Sequence, residues 1–124
     1  MTKRIMVVDD SATMLMSVKT NLEMNGYNVE TAQDGVQALN KLKTAGKMDL
    51  MITDINMPNM NGLELIQQTR ALPGGRFMPI LALTTESQQS KRDEAKKFGA
   101  TGWLVKPISG PDLIKVIKQV LPGA

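Results

Sequence analysis

The stretch Leu50 to Gly62, LMITDINMPNMNG, runs apolar into a single acid and then breaks into a turn. Leu50, Met51 and Ile52 make a run too short for anything but a buried strand, and Pro58, Asn61 and Gly62 punctuate the segment after the acid. Asp54 is therefore predicted at the C-terminal end of a central strand, the edge at which open α/β sheets bind ligands. A carboxylate there costs several kcal/mol unless it is hydrated, paired or metal-bound. A helix cap or a turn acid would explain the residue equally well on its own, so the rest of the chain has to decide.

Working outward, apolar segments of two lengths alternate. Ile5 to Val8 is a continuous β-branched-rich run, of the kind buried on both faces of a parallel sheet, and it ends in Asp9 and Asp10. Ser11 or Asp10 can cap a helix in which Met14, Leu15, Val18 and Leu22 recur at helical spacing, until Asn25 and Gly26 stop it. Tyr27 to Thr31 reads as a strand, and Asp34 caps a helix carrying Val36, Leu39 and Leu42 before Gly46. Beyond the central strand, Leu63, Leu65, Ile66 and Thr69 spell a third helix that closes near Pro73 to Gly75. Ile80 to Leu83 is the fourth strand, ending on Thr84 and Thr85.

Glu86 to Gly99 is helical by propensity, with Ala95 and Phe98 almost its only apolar residues, so it should be the most loosely held helix. Trp103 to Val105 forms the last strand and reaches Lys106 and Pro107. Ser109 and Asp112 resemble a capping box, and Leu113, Ile114, Val116, Ile117, Val120 and Leu121 give the final helix a broad apolar face. Five β–α units in one chain predict an α/β fold with a five-stranded parallel sheet. Right-handed crossovers leave few topologies, of which the doubly wound flavodoxin-like one, strand order 2-1-3-4-5, is commonest at this size.

The 124 residues fit a single domain, 1–124, with no separate output domain. Cysteine and histidine are both absent, which excludes a disulfide framework, a thiolate metal site and imidazole chemistry and leaves carboxylates and lysines. No apolar stretch approaches the roughly 20 residues that cross a bilayer, and no cleavable leader is apparent, so a cytoplasmic protein is expected. The net charge of +3 suits an acidic partner. Scattered lysines and only one Trp, one Tyr and two Phe argue against nucleic acid, which single strands would bind through stacking platforms.

Parallel strands deliver their C-terminal ends to one edge, so Asp9, Asp10, Asp54, Thr84 and Lys106 should converge whatever their separation in sequence. Acids meeting there repel one another unless a divalent cation or an ammonium compensates. Oxygen ligands without histidine or cysteine point to Mg2+, which accepts a few carboxylates and keeps several waters. Lys106 can pair with Asp54 or with a phosphoryl group placed on it, and the Thr84 hydroxyl can donate to a phosphoryl oxygen. Taken singly, Asp9 or Asp10 could be a helix cap, Thr84 an ordinary strand end and Lys106 a solvated lysine.

With these residues in place, the chain resembles the receiver domains of two-component response regulators, specifically the stand-alone chemotaxis type (CheY-like). The resemblance runs from VVDD at Val7 to Asp10, through DINMPNMNG at Asp54 to Gly62 and LTTE at Leu83 to Glu86, to WLVKP at Trp103 to Pro107. It implies that Asp54 is the phosphoacceptor. Asp9, Asp10, Asp54 and the Asn56 backbone carbonyl would hold Mg2+, or Mn2+ in its place. Thr84 and Lys106 would contact the phosphoryl group, Asn56 and Glu86 would tune its lifetime, and the Lys106–Pro107 bond would be cis. Trp103 takes the switch position usually held by Tyr or Phe.

The resemblance further implies a monomeric signalling switch, not a turnover enzyme. A histidine kinase of the chemotaxis type would phosphorylate it and a phosphatase could reset it. The target, such as the flagellar motor switch, would dock on the face of the fourth helix, fifth strand and fifth helix. Lys91, Arg92, Lys96, Lys97, Lys115 and Lys118 cluster near that face, although a charge cluster can equally be a solvated helical surface. A phosphate sink or a phosphorelay shuttle is the alternative role. An aspartate-nucleophile phosphatase would require a second acid where Asn56 stands, and a flavin-binding protein would require a phosphate loop where Asp9 and Asp10 stand.

Overall fold

The computed structural model describes residues 2–44, 46–84, 89–106 and 108–121. Strands and helices alternate: β1 Arg4–Val8, α1 Ala12–Met24, β2 Asn28–Ala32, α2 Gly35–Thr44, β3 Leu50–Asp54, α3 Gly62–Ala71, β4 Ile80–Thr84, α4 Gln89–Lys97, β5 Gly102–Val105 and α5 Gly110–Val120. All strand pairs are parallel, in the order β2-β1-β3-β4-β5. This is the doubly wound topology expected from the alternation of short and long apolar segments. None of the described helices is long and apolar enough to cross a membrane.

The continuous apolar runs are explained by helices on both faces of the sheet. Ile5 and Val7 of β1 join Leu15 and Leu22 of α1 and Leu113 and Ile117 of α5 in one core. Met6 and Val8, pointing the other way, join Leu39 of α2, Leu65 and Ile66 of α3 and Ala95 of α4 in the second. Polar side chains start the helices between them. The Ser11, Asn61 and Ser109 oxygens accept the N–H groups of Met14, Glu64 and Asp112, and Asp34 Oδ1 accepts that of Gln37 at 2.8 Å.

Three details differ from the sequence-based expectation. β2 runs one residue later and β5 starts one residue earlier, because ladder pairing with Lys3 to Val8 and with Leu81 extends the strands past their apolar residues. Val36 is 44% exposed, whereas Gly35, Ala38 and Leu39 are buried. Leu39 and Leu42 of the expected face do pack in the core, while Val36 lies at its edge and Gly35 sits against Met60, where a Cβ would meet atoms at 2.8 Å. α4 is described from Gln89 onward, and among its described side chains Ala95 is the buried one. The turn after it is gripped by Arg70, which donates to the Gly99 carbonyl from Nε at 3.1 Å and Nη2 at 2.6 Å, and to the Gly75 and Met78 carbonyls from Nη1.

Candidate functional site

The register lays the C-terminal strand ends side by side: Val8 opposite Thr53, Asp54 opposite Leu83, and Thr84 opposite Val105. Asp9 follows β1 and is 4% exposed; its N–H donates to the Ala32 carbonyl at 3.1 Å and its Oδ1 accepts the Ser11 N–H at 2.9 Å. Asp10 is exposed to solvent. Asp54 ends β3 with 8% exposure, and its Oδ1 accepts the Ile55 N–H at 2.8 Å, which keeps the carboxylate from rotating. One carboxylate oxygen from each of Asp9, Asp10 and Asp54 lies within 4.8 Å of the others.

Lys106 enters this cluster from the end of β5. Its Nζ lies 2.8 Å from Asp9 Oδ2 and 3.4 Å from Asp54 Oδ2, and its backbone N–H donates to the Thr84 carbonyl at 2.6 Å. The sequence suggests Asp54 as the partner of Lys106; the nearer partner is Asp9, and nothing in the spacing of the motifs reveals which acid wins. Burial pushes the Asp54 carboxyl above the usual carboxylate range; the Lys106 charge opposes this and the Asp9 charge adds to it. Burial alone would lower the Lys106 ammonium, but its hydrogen bond to Asp9 and the charges of Asp54 and Asp9 outweigh that effect and hold it above its ordinary value.

These residues fit a divalent cation. The donor set is hard oxygen only, negative charge exceeds the single ammonium, and one acid faces solvent as an entry point. Lys106 would compete with such a cation for Asp9 and Asp54. In a Lys106→Ala variant, Mg2+ affinity measured by calorimetry is expected to be unchanged or tighter, because a competing cation is removed from Asp9 and Asp54. Weaker Mg2+ binding in the folded variant would contradict this competition.

Thr84 is fully buried at the end of β4. Asn56 lies two residues past Asp54 and is exposed, and its Oδ1 accepts a hydrogen bond from Lys91 Nζ at 3.0 Å, which links the β3–α3 loop to α4. From the sequence Lys91 is only one member of a charge cluster, because helical spacing does not tell which lysine turns toward the site. Trp103 is half-buried, and among the described residues its buried indole N–H has no hydrogen-bond partner. Beside it, Arg92, Ala95, Lys96 and Ala100 line a cavity of about 240 Å³ between α4 and β5. Thr85, Glu86 and Pro107, and with Pro107 the expected cis bond, lie outside the described residues.

Similarity to known proteins points the same way as the geometry. Residues 5–118 match the family model described as the response regulator receiver domain. The chain is 38% identical over 121 residues to chemotaxis protein CheY1 of Helicobacter pylori, covering 97% of each chain. The crystal structure of chemotaxis protein CheY4 of Vibrio cholerae superimposes with a TM-score of 0.94 at 42% identity, covering 98% of this chain and all of that one. The receiver domain of a sensor histidine kinase of Pseudomonas aeruginosa, solved with a magnesium ion coordinated in its active site cleft, superimposes with a TM-score of 0.89 at 26% identity over 97% of this chain and 98% of that one. With acids at the ends of β1 and β3 and a lysine at the end of β5 on a 2-1-3-4-5 sheet, the chain belongs to the response regulator receiver domain family of two-component signalling, with CheY chemotaxis proteins among its homologues.

Proposed function

We propose that this chain is a phosphorylation-activated switch in which Asp54 accepts a phosphoryl group from a histidine kinase, or from a small phosphodonor, and the phosphorylated form binds a target protein. The observation that supports this most directly is the Asp54 carboxylate, buried at the end of the central strand, sharing a cluster with Asp9 and Asp10 and lying 3.4 Å from the Lys106 ammonium. Phosphoryl transfer needs alignment and charge more than covalent help from the protein. A divalent cation held by Asp9, Asp10, Asp54 and the Asn56 backbone carbonyl would supply charge neutralisation at the phosphoryl oxygens, as the magnesium in the Pseudomonas receiver structure suggests by analogy.

The remaining chemistry belongs to the chain itself. An Asp54 oxygen attacks phosphorus in line as the phosphorus–nitrogen bond of a phosphohistidine breaks, and the electron pair of that bond leaves with the imidazole. The product is an acyl phosphate on Asp54. Its new negative charge draws the Lys106 ammonium away from Asp9, and the Thr84 hydroxyl donates to a phosphoryl oxygen. Inward movement of Thr84 frees space next to Trp103, which biases the α4–β5–α5 face toward its binding conformation. Arg92, Lys96, Lys97, Lys115 and Lys118 are exposed around that face and suit an acidic segment of the target. The chemotaxis relatives favour control of a flagellar motor switch, with chemotaxis-type kinase and target both met in the cytoplasm.

Incubation with Mg2+ and acetyl phosphate is expected to add one phosphoryl mass to the intact protein, and borohydride trapping followed by peptide mapping should locate it on Asp54. No adduct, or an adduct on another residue, would overturn the proposal.

A further inference from the structure

The Asp34 carboxylate divides its two oxygens between two elements. Oδ1 caps α2 by accepting the Gln37 N–H at 2.8 Å, and Oδ2 accepts from Asn59 Nδ2, also at 2.8 Å, across 25 residues of sequence. A cap needs only one oxygen, and serine would do as well. The second oxygen is thus committed to the loop after Asp54. Next to it, the Gly35 N–H donates to the Met60 carbonyl at 3.3 Å, so two adjacent residues at the start of α2 hold two adjacent residues of the loop.

Lys91 Nζ of α4 also reaches the loop, at Asn56 Oδ1, and further hydrogen bonds among the described residues run within the loop and to its base. The Ile55 N–H reaches Asp54 Oδ1, the Gly62 N–H reaches the Ile55 carbonyl at 2.8 Å, and the Met60 N–H folds back on the Pro58 carbonyl at 2.7 Å. Asn59 itself adopts φ 67°, a left-handed conformation that asparagine takes more readily than other non-glycine residues. Asn56, whose backbone carbonyl would be a cation ligand in this reading, lies between the base of the loop and Asn59.

We propose that Asp34 is a positioning residue for the phosphoacceptor site, acting through Asn59 to set where the β3–α3 loop presents the Asn56 carbonyl. The inference rests on the reading of Asp54 and its neighbouring acids as a Mg2+-dependent phosphoacceptor site. The backbone hydrogen bond from Gln37 and the side-chain hydrogen bond from Asn59 hold the Asp34 carboxyl below the usual carboxylate range, so Asp34 is ionised at neutral pH and both bonds are charge-assisted.

Two variants separate the clamp from the cap. Asp34→Ser keeps an α2 cap and deletes the oxygen that holds Asn59; Asn59→Gly keeps the left-handed backbone and deletes the amide. Mg2+ binding is measured by isothermal titration calorimetry, alongside metal-free thermal midpoints. Each variant is expected to bind Mg2+ about tenfold more weakly, as for partners that orient a ligand, with its metal-free midpoint close to the parent's. The double variant should be no weaker than either single one. If both variants match a parent that does bind Mg2+ within twofold, or if their effects add, the positioning role is overturned while the site reading stands. A parent that binds no Mg2+ would sink the site reading and this inference together.

Discussion

Asp54→Asn protein is expected to take up no phosphoryl group from acetyl phosphate and Mg2+, and, with metal removed, to melt at a higher temperature than its parent at pH 7. The first effect arises because an amide has no anionic oxygen to attack phosphorus. The second is electrostatic. Burial raises the Asp54 carboxyl above its ordinary value of 3.8, so the folded protein holds that proton more tightly than the unfolded chain. The stabilisation linked to that proton is complete below the ordinary value and is lost as pH rises through the raised one. Above it, the ionised group is a net cost to the fold. Asparagine carries no charge to bury, and Lys106 keeps its 2.8 Å partner Asp9. The gap between variant and parent should therefore be widest at neutral pH and close as the solution is acidified, as thermal melts across pH would record. Labelling that survives in the variant would reassign the nucleophile to Asp9 or Asp10; a lower midpoint at pH 7 would mean that the attraction of Lys106 for Asp54 outweighs burial.

Gly62→Ala is expected to damage fold and site together. A Cβ at this position would stand 2.1 Å from the Asp54 carbonyl oxygen and 2.8 Å from the Ile55 Cα, so backbone and not a yielding side chain must move. Gly62 cannot easily retreat, since its N–H is bonded to the Ile55 carbonyl at 2.8 Å. Overpacking of this kind costs about 1–3 kcal/mol, which lowers the midpoint by several degrees in a domain of this size. The displaced backbone carries Asp54, so the labelling rate should fall as well, by about 100-fold if the carboxylate moves by an ångström. Gly74→Ala is the control: nothing lies within 4 Å of its Cβ, and both readouts should match the parent. If Gly62→Ala behaves like that control, the β3–α3 loop is more yielding than its hydrogen bonds imply.

Gly62 shows how sequence and structure divide the information. In the sequence it reads as turn punctuation after Pro58 and Asn61, which is correct but incomplete, because a close approach of backbone to backbone leaves no composition signal. Val36 is the reverse case, an apolar residue assigned to the buried face of α2 that lies exposed, while its neighbour Gly35 takes the close contact with Met60. The strand-end residues Asp9, Asp54, Thr84 and Lys106 could be found without coordinates, since an apolar run ending on a polar residue before a turn is a local pattern, and parallel topology carries all such ends to one edge.

By itself, then, the sequence determined the order of the elements, the two-sided burial of the strands and the set of residues gathered at their C-terminal edge, because period and turn chemistry act over a few neighbouring positions. Only the tertiary structure decided that Lys106 lies nearer to Asp9, 97 residues away along the chain, than to Asp54, and that Asp34 reaches Asn59 across 25. Those pairings are set by sheet register and by the docking of α2 on the β3–α3 loop, which bring together side chains whose proximity no local pattern of residues encodes.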